Sequence, residues 1–168
     1  MYKKEQLANP KAESSLFAKE RHAGQKYDGQ DYYEAHIVPV AEKAGEIASE
    51  QNKEKSIITA YLHDVVEDTT TAVEEIEKHF GKDVATAVEL LTNRTVDGVK
   101  KDKDYYYREI SKNEIAKVAK AADRYVNVAN LRKLENAEKK EKLTNKYKSE
   151  MKYFEKYNIY PELLKVLL

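Results

Sequence analysis

Two ionisable pairs, His63-Asp64 and Glu67-Asp68, stand in the apolar segment AYLHDVVEDTTT (Ala60–Thr71). Tyr61 and Leu62 precede them, and Val65 and Val66 lie between them. Burying such groups is costly unless something neutralises them. Adjacent side chains on a helix diverge by about 100°, so His63 and Asp64 cannot pair face to face, yet both can reach one point beside the helix. A divalent cation there would satisfy both, with further ligands from other helices. His36, in EAHIVPVAE, and Asp123, in KAADRYVN, each fall on an apolar helical face and supply candidates. Two imidazoles and two carboxylates suit manganese, iron, cobalt or magnesium better than structural zinc. Four such ligands leave positions for water and a phosphate oxygen. A single histidine on an apolar face is more often a hydrogen-bonded core residue, and an H-D dipeptide alone says little; the whole set makes the metal reading. His22, at a helix end where an imidazolium suits the dipole, and His79, before Gly81, lack such context and read as structural.

These residues need helices to position them, and the chain reads as helices with short breaks. Five glycines and three prolines argue against a many-turned β fold. Asn9-Pro10 reads as a cap and first helical residue, opening a helix to His22-Ala23 that Gly24 stops. A second helix is predicted over Tyr33–Ser49, with Ile37, Val40, Ala41, Ala44 and Ala48 inward. A third, central helix is predicted over Ser56–Val66. Thr71 and Glu74 match a capping box opening a fourth, closed by Gly81, and Asp83 is the expected cap of the fifth. NRTVDGVKK reads as a loop. Helices around Asp104–Ile110 and Asn113–Leu131 follow, then a charge-dense segment and a stripe of Leu143, Tyr147, Met151 and Phe154 that reads as core. Pro161 opens the last helix. The expectation is one all-α domain over residues 1–168.

Composition narrows the function classes. Thirty basic residues balance thirty acidic ones, so no global field steers the chain to nucleic acid or an anionic membrane. At 168 residues one domain can bury roughly 70% of its unfolded surface. The absence of cysteine removes thiolate metal sites and disulfides. MYKKEQLANPK is too polar for a signal peptide, and no apolar run approaches the roughly 20 residues of a membrane span. A cytoplasmic protein with a small-molecule partner is expected, with neither nucleic acid nor membrane. Many of the thirteen tyrosines are expected to be half-buried, ring packed and hydroxyl wet.

The order H…HD…D resembles the HD superfamily of metal-dependent phosphohydrolases, and more closely the small alarmone hydrolases, the stand-alone hydrolase domains of RelA/SpoT type. The matching stretches are RHAGQ (Arg21–Gln25), Tyr33 before His36, LHDVVEDT (Leu62–Thr69), HFGKDVATAVELLT (His79–Thr92) and KAADRYVNVANL (Lys120–Leu131). The resemblance spans about Leu16 to Leu134. It implies an HD-type helical bundle with the metal site between its central helices. It also implies manganese-dependent removal of the 3′-pyrophosphate of (p)ppGpp, giving GDP or GTP and pyrophosphate. His36, His63, Asp64 and Asp123 would hold the metal, and Glu67 and Asp68 would orient or deprotonate the attacking water. Asn127 and Asn130 would contact ribose or phosphate. GQKYDGQDYY departs from the pattern: Tyr27 stands where the family has an arginine that packs on the base, Lys26 could supply the lost charge, and Tyr32 replaces a proline. Adenosine alarmones such as (p)pApp therefore stay open as substrates. The alternatives are another HD phosphohydrolase that cuts a nucleotide or NADPH phosphate monoester, and an inactive metal-binding sensor module.

Overall fold

The computed structural model describes residues 9–95 and 97–168. The polar stretch read as unlike a signal peptide falls mostly outside them. α1 spans Pro10–Arg21. Its cap forms as the sequence requires, with the Asn9 side chain accepting from the Ala12 amide at 3.2 Å and Gly24 turning the chain at φ +84°. A small hairpin follows that no helical pattern foretold. β1 (Lys26–Tyr27) pairs antiparallel with β2 (Gln30–Asp31). Asp28 and Gly29 both adopt positive φ, 50° and 82°, the two-residue turn that favours Asp-Gly.

The predicted second helix begins as a π-helical turn, Tyr33–Ile37, and continues as α2, Val38–Ile47. The wide turn buries Tyr33, His36 and Ile37 together. α3 covers Lys53–Leu62 and stops four residues before the expected end. His63 and Asp64 form a turn, and a separate short helix, α4, spans Val65–Asp68. α5 (Val73–Phe80) and α6 (Lys82–Leu91) come next. α7 (Lys103–Ser111), α8 (Glu114–Asn130), α9 (Ala137–Lys156) and α10 (Pro161–Lys165) complete the bundle.

Two expected caps are overturned. Ala72, not Thr71, precedes α5, and it makes no side-chain cap. The Thr71 hydroxyl is instead engaged by Arg21 Nη1 at 2.9 Å and by Thr69. Asp83 lies inside the first turn of α6 after Gly81, where it pairs with Lys55 at 2.6 Å. In both cases a long cation reaches the side chain first.

α3 is the centre of the bundle, packed by α1, α2, α6 and α8. Its Ile58, Ala60 and Leu62 are buried. α8 lies against α2, α3, α6 and α7, with Val118, Ala119, Ala122 and Val126 inward. No helix among the described residues is long and apolar enough to cross a membrane.

α9 is tied to α8 by an ion pair. Arg124 Nη2 meets Glu150 Oε1 at 2.7 Å, both side chains about 5% exposed, and Lys103 reaches Glu150 Oε2 at 2.7 Å. Burial alone would raise the Glu150 carboxyl; Lys103 and Arg124 outweigh it and hold the carboxyl below its ordinary 4.5. The stabilisation is therefore present above about pH 4.5 and lost as pH falls further. Glu150→Ala is expected to cost about 3–5 kcal/mol, because it strands a buried guanidinium. Urea denaturation at pH 7 and pH 3.5 checks this, with the gap between wild type and variant narrowing at the lower pH.

Candidate active site

The break after Leu62 solves the problem posed by adjacent candidate ligands. Once the helix ends, His63 Nε2 and Asp64 Oδ2 converge to 3.0 Å. The π-turn brings His36 alongside, and α8 brings Asp123: His36 Nε2 lies 2.9 Å from Asp123 Oδ1 and 3.8 Å from Asp64 Oδ2. One ligand atom from each of the four residues falls within 4.8 Å of all the others.

The donor set fits a divalent cation. His63 Nδ1 lies 2.6 Å from the Ala60 carbonyl, which can only accept, so Nδ1 carries a hydrogen. Nε2 of the neutral ring then turns a lone pair on two carboxylates, Asp64 at 3.0 Å and Asp123 at 3.3 Å. Such a group needs a cation among its members. In its absence the cation is a proton: burial opposes charging His63, but Asp64 and Asp123 outweigh burial and raise its pKa well above the ordinary histidine range. Burial likewise opposes the charge on Asp64, and His63 overcomes it, holding the carboxyl at about 2. Tyr32, noted in the sequence only as a replacement for the family's proline, donates its hydroxyl to Asp64 Oδ2 and orients that carboxylate, as outer partners of metal ligands do.

The cluster opens on a cavity of 390 Å³ lined also by Glu67, Asp68 and Asn127. The acidic pair divides. Glu67 Oε1 accepts the Asn93 amide at 2.7 Å, so one of its oxygens anchors the loop after α6. Asp68 stands at the open rim. Partial burial of its carboxyl, then repulsion from Asp64 and Glu67, push its pKa up to about 6.

The expected substrate residues spread over two cavities. Tyr27 stacks on the His36 ring (5.2 Å between centroids, 15° between planes) and donates to Asn127 Oδ1 at 2.9 Å. It separates the first cavity from a second, of 500 Å³, which Asn130 and Asp28 line. Lys26 is exposed on β1 and lines neither. His22 is not the dipole-facing imidazolium expected at a helix end. It is fully buried, hydrogen-bonded through Nδ1 to Gln25 at 2.8 Å, and burial lowers its pKa. His79 is exposed, with Glu13 at 4.0 Å. Sequence reasoning also missed Lys120 and Arg124, which line the cavity. Their offsets of −3 and +1 from Asp123 on one helix could have flagged Lys120 as a neighbour on the Asp123 face.

An all-α bundle in which two histidines and two aspartates converge at a helix break belongs to a metal-site architecture, and the chain is a member of the HD domain family, whose model matches residues 15–163. Its relatives include proteins named guanosine-3′,5′-bis(diphosphate) 3′-pyrophosphohydrolase. One, from Aquifex aeolicus (strain VF5), is 38% identical over 94 residues, 56% of this chain and 13% of that protein. Another, MESH1 of Xenopus tropicalis, is 39% identical over 75 residues, 44% of this chain and 42% of the relative. These matches thus span less than half of each relative's length. The fold is shared with a solved structure described as a metazoan ortholog of SpoT that hydrolyzes ppGpp. It has a TM-score of 0.73 and 22% identity and covers 95% of this chain and 97% of the other.

Proposed function

We propose that residues 1–168 form one hydrolase domain that cleaves the 3′-pyrophosphate ester of (p)ppGpp-type alarmones in the cytoplasm, giving GDP or GTP and pyrophosphate. The observation that carries this reading is the convergence of His36, His63, Asp64 and Asp123 within 4.8 Å on a cavity that Asp68 also lines. The names of the relatives support the substrate class.

The four ligands would hold one divalent cation, manganese in the first place, with iron, cobalt and magnesium also suited to the donors. Such an ion acidifies water and offsets the charge that builds on phosphoryl oxygens. Asp68 takes the proton of the attacking water, a role suited to a base with a pKa near neutrality. Glu67 fixes the loop after α6 through Asn93. Tyr32 holds Asp64 in place, and Asn127, whose carbonyl accepts from Tyr27 and whose Nδ2 donates to Asp123 Oδ1 at 3.4 Å, has a second amide hydrogen to offer ribose or phosphate. Incubation with ppGpp, ppApp and NADPH in the presence of manganese, followed by product identification, tests the proposal. Pyrophosphate release is expected. Orthophosphate from NADPH alone would indicate a monoesterase, and no product would indicate a sensor.

One face of Tyr27 is taken by His36, and the ring borders the second cavity, where the base would lie. Aromatic stacking accepts either purine, so both guanosine and adenosine alarmones should be cleaved. Any guanine preference falls to Asp28, which also lines that cavity and can accept from guanine N–H groups. Tyr27→Ala is expected to lower kcat/KM for ppGpp and ppApp alike by about 1–3 kcal/mol. Unchanged values for both would remove Tyr27 from the base site.

A further inference from the structure

The segment RHAGQ (Arg21–Gln25) supplies no member of the ligand cluster, yet its side chains grip the stretch that follows the ligands. Arg21 donates to the Thr71 hydroxyl at 2.9 Å and pairs with Glu75. Gln25 Nε2 donates to the Asp68 carbonyl at 3.1 Å. Asp68 is the last residue of α4, a helix of four residues, so its carbonyl lies beyond the reach of that helix's own amides. The Gln25 amide, 43 positions away in the chain, takes their place. Through its backbone, Gln25 also accepts from the Tyr32 amide at 3.0 Å, which closes the hairpin next to the residue that orients Asp64.

The direction of these bonds is fixed. A carbonyl only accepts, so Gln25 turns its nitrogen to Asp68, and its Oε1 then faces His22 Nδ1 at 2.8 Å. An amide oxygen also only accepts, so Nδ1 carries the hydrogen. His22 is fully buried, and that burial lowers its pKa. The neutral ring is left with a bare lone pair on Nε2, which finds no donor among the described residues. An unmatched buried acceptor is destabilising. What the ring supplies despite that cost is the Nδ1 hydrogen, which holds the Gln25 amide in the one orientation that can donate to Asp68.

We propose that Gln25 is a positioning residue for Asp68, with His22 fixing its amide; the assignment rests on the hydrolase reading, in which Asp68 takes the proton of the attacking water. Gln25 lies outside the lining of the first cavity, so it acts through Asp68 and not on the substrate. Its bond fixes where α4 stops, and the carbonyl it holds belongs to the same residue as the carboxylate that faces the cavity. Released from that bond, the end of α4 frays and the carboxylate loses its aim at the water. The backbone bond to Tyr32 survives any replacement of the Gln25 side chain, so side-chain variants isolate the effect on Asp68 from the effect on Asp64.

The test uses two replacements of similar length. Gln25→Met removes both side-chain bonds. Gln25→Glu keeps an acceptor for His22 Nδ1 and loses the donor to Asp68. The kcat and KM for ppGpp with manganese, and the bound metal, are measured for each variant alone and combined with Asp68→Asn. Misplacing a reacting group by 1 Å costs up to about 10²-fold, so kcat is expected to fall about tenfold or more in both variants. KM and metal content should hold, and neither replacement should lower kcat further once Asp68 is asparagine. A wild-type kcat in Gln25→Glu, or a loss that recurs in full beside Asp68→Asn, overturns the proposal and leaves the hydrolase reading standing. If wild type cleaves no alarmone, the hydrolase reading fails and hydrogen exchange decides alone, at the Asp68 and Thr69 amides that close α4 on Asp64 and Val65. Faster exchange there in both variants supports the hold of Gln25 on α4, and unchanged exchange overturns it.

Discussion

Asp64→Ala is expected to purify without metal and without measurable turnover. Asp64 Oδ2 is the meeting point of three groups: His63 Nε2 at 3.0 Å, His36 Nε2 at 3.8 Å and the Tyr32 hydroxyl. Removing it takes one of two anionic donors from the cluster and releases the tyrosine. Loss of an outer hydrogen-bond partner costs about 10–100-fold in metal affinity or activity. Loss of a ligand must exceed that, whereas Tyr32→Phe should fall within it. A ligand that binds only the folded state adds about 2.7 kcal/mol at a hundredfold excess over its Kd. Wild type should therefore melt at a higher temperature when manganese is added, and Asp64→Ala should melt alike with and without it. Elemental analysis showing full occupancy in Asp64→Ala would remove Asp64 from the ligand set.

Asp68→Asn is expected to keep the metal and the fold and to lose about 10²–10⁴-fold in kcat, the range of general-base assistance. Because its carboxyl is pushed up to about 6, the wild-type rate should decline as pH drops and Asp68 protonates. A bound dication moves that limb to lower pH. The asparagine variant should lack the limb. The stability consequence has the opposite sign from the usual carboxylate. A folded pKa above the unfolded value means that wild-type stability declines as pH rises from about 4 to 6, so Asp68→Asn should not be destabilised at neutral pH. Glu67 separates the two acidic roles. Glu67→Gln keeps an acceptor for the Asn93 amide and should retain most of kcat, while Glu67→Ala frees the loop that carries Arg94 and Lys100 and should raise KM. A neutral-pH kcat for Asp68→Asn near wild type would assign the base to another group.

Much of this molecule was legible in one dimension. The cap at Asn9, the stop at Gly24 and the stripe along α8 depend on residues a turn apart, and the apolar period of 3.6 survives in any packed bundle. Residue type also named the candidate ligands, since His36, His63, Asp64 and Asp123 are polar exceptions on apolar faces. Local pattern failed where a distant group competed. Thr71 has the spacing of a cap, but the Arg21 guanidinium, 50 positions away, takes its hydroxyl. Continuous apolar character carried the predicted third helix through Val66, but the chain breaks at His63, where the imidazole reaches back to the Ala60 carbonyl and the four polar groups converge.

The division at the site has the same cause. The sequence by itself determined which side chains could bind a cation or move a proton, because that is a property of the residue. Only the tertiary structure decided that Tyr32 orients Asp64, that Glu67 is committed to Asn93, and that six cations from the 94–100 loop, α7, α8 and α9 face one cavity. Hydrogen bonds form only within about 3 Å, so a side chain's partner is set by the packing that brings distant segments that close. The chain's even balance of charge hid a field that exists only after α7, α8 and α9 have packed together.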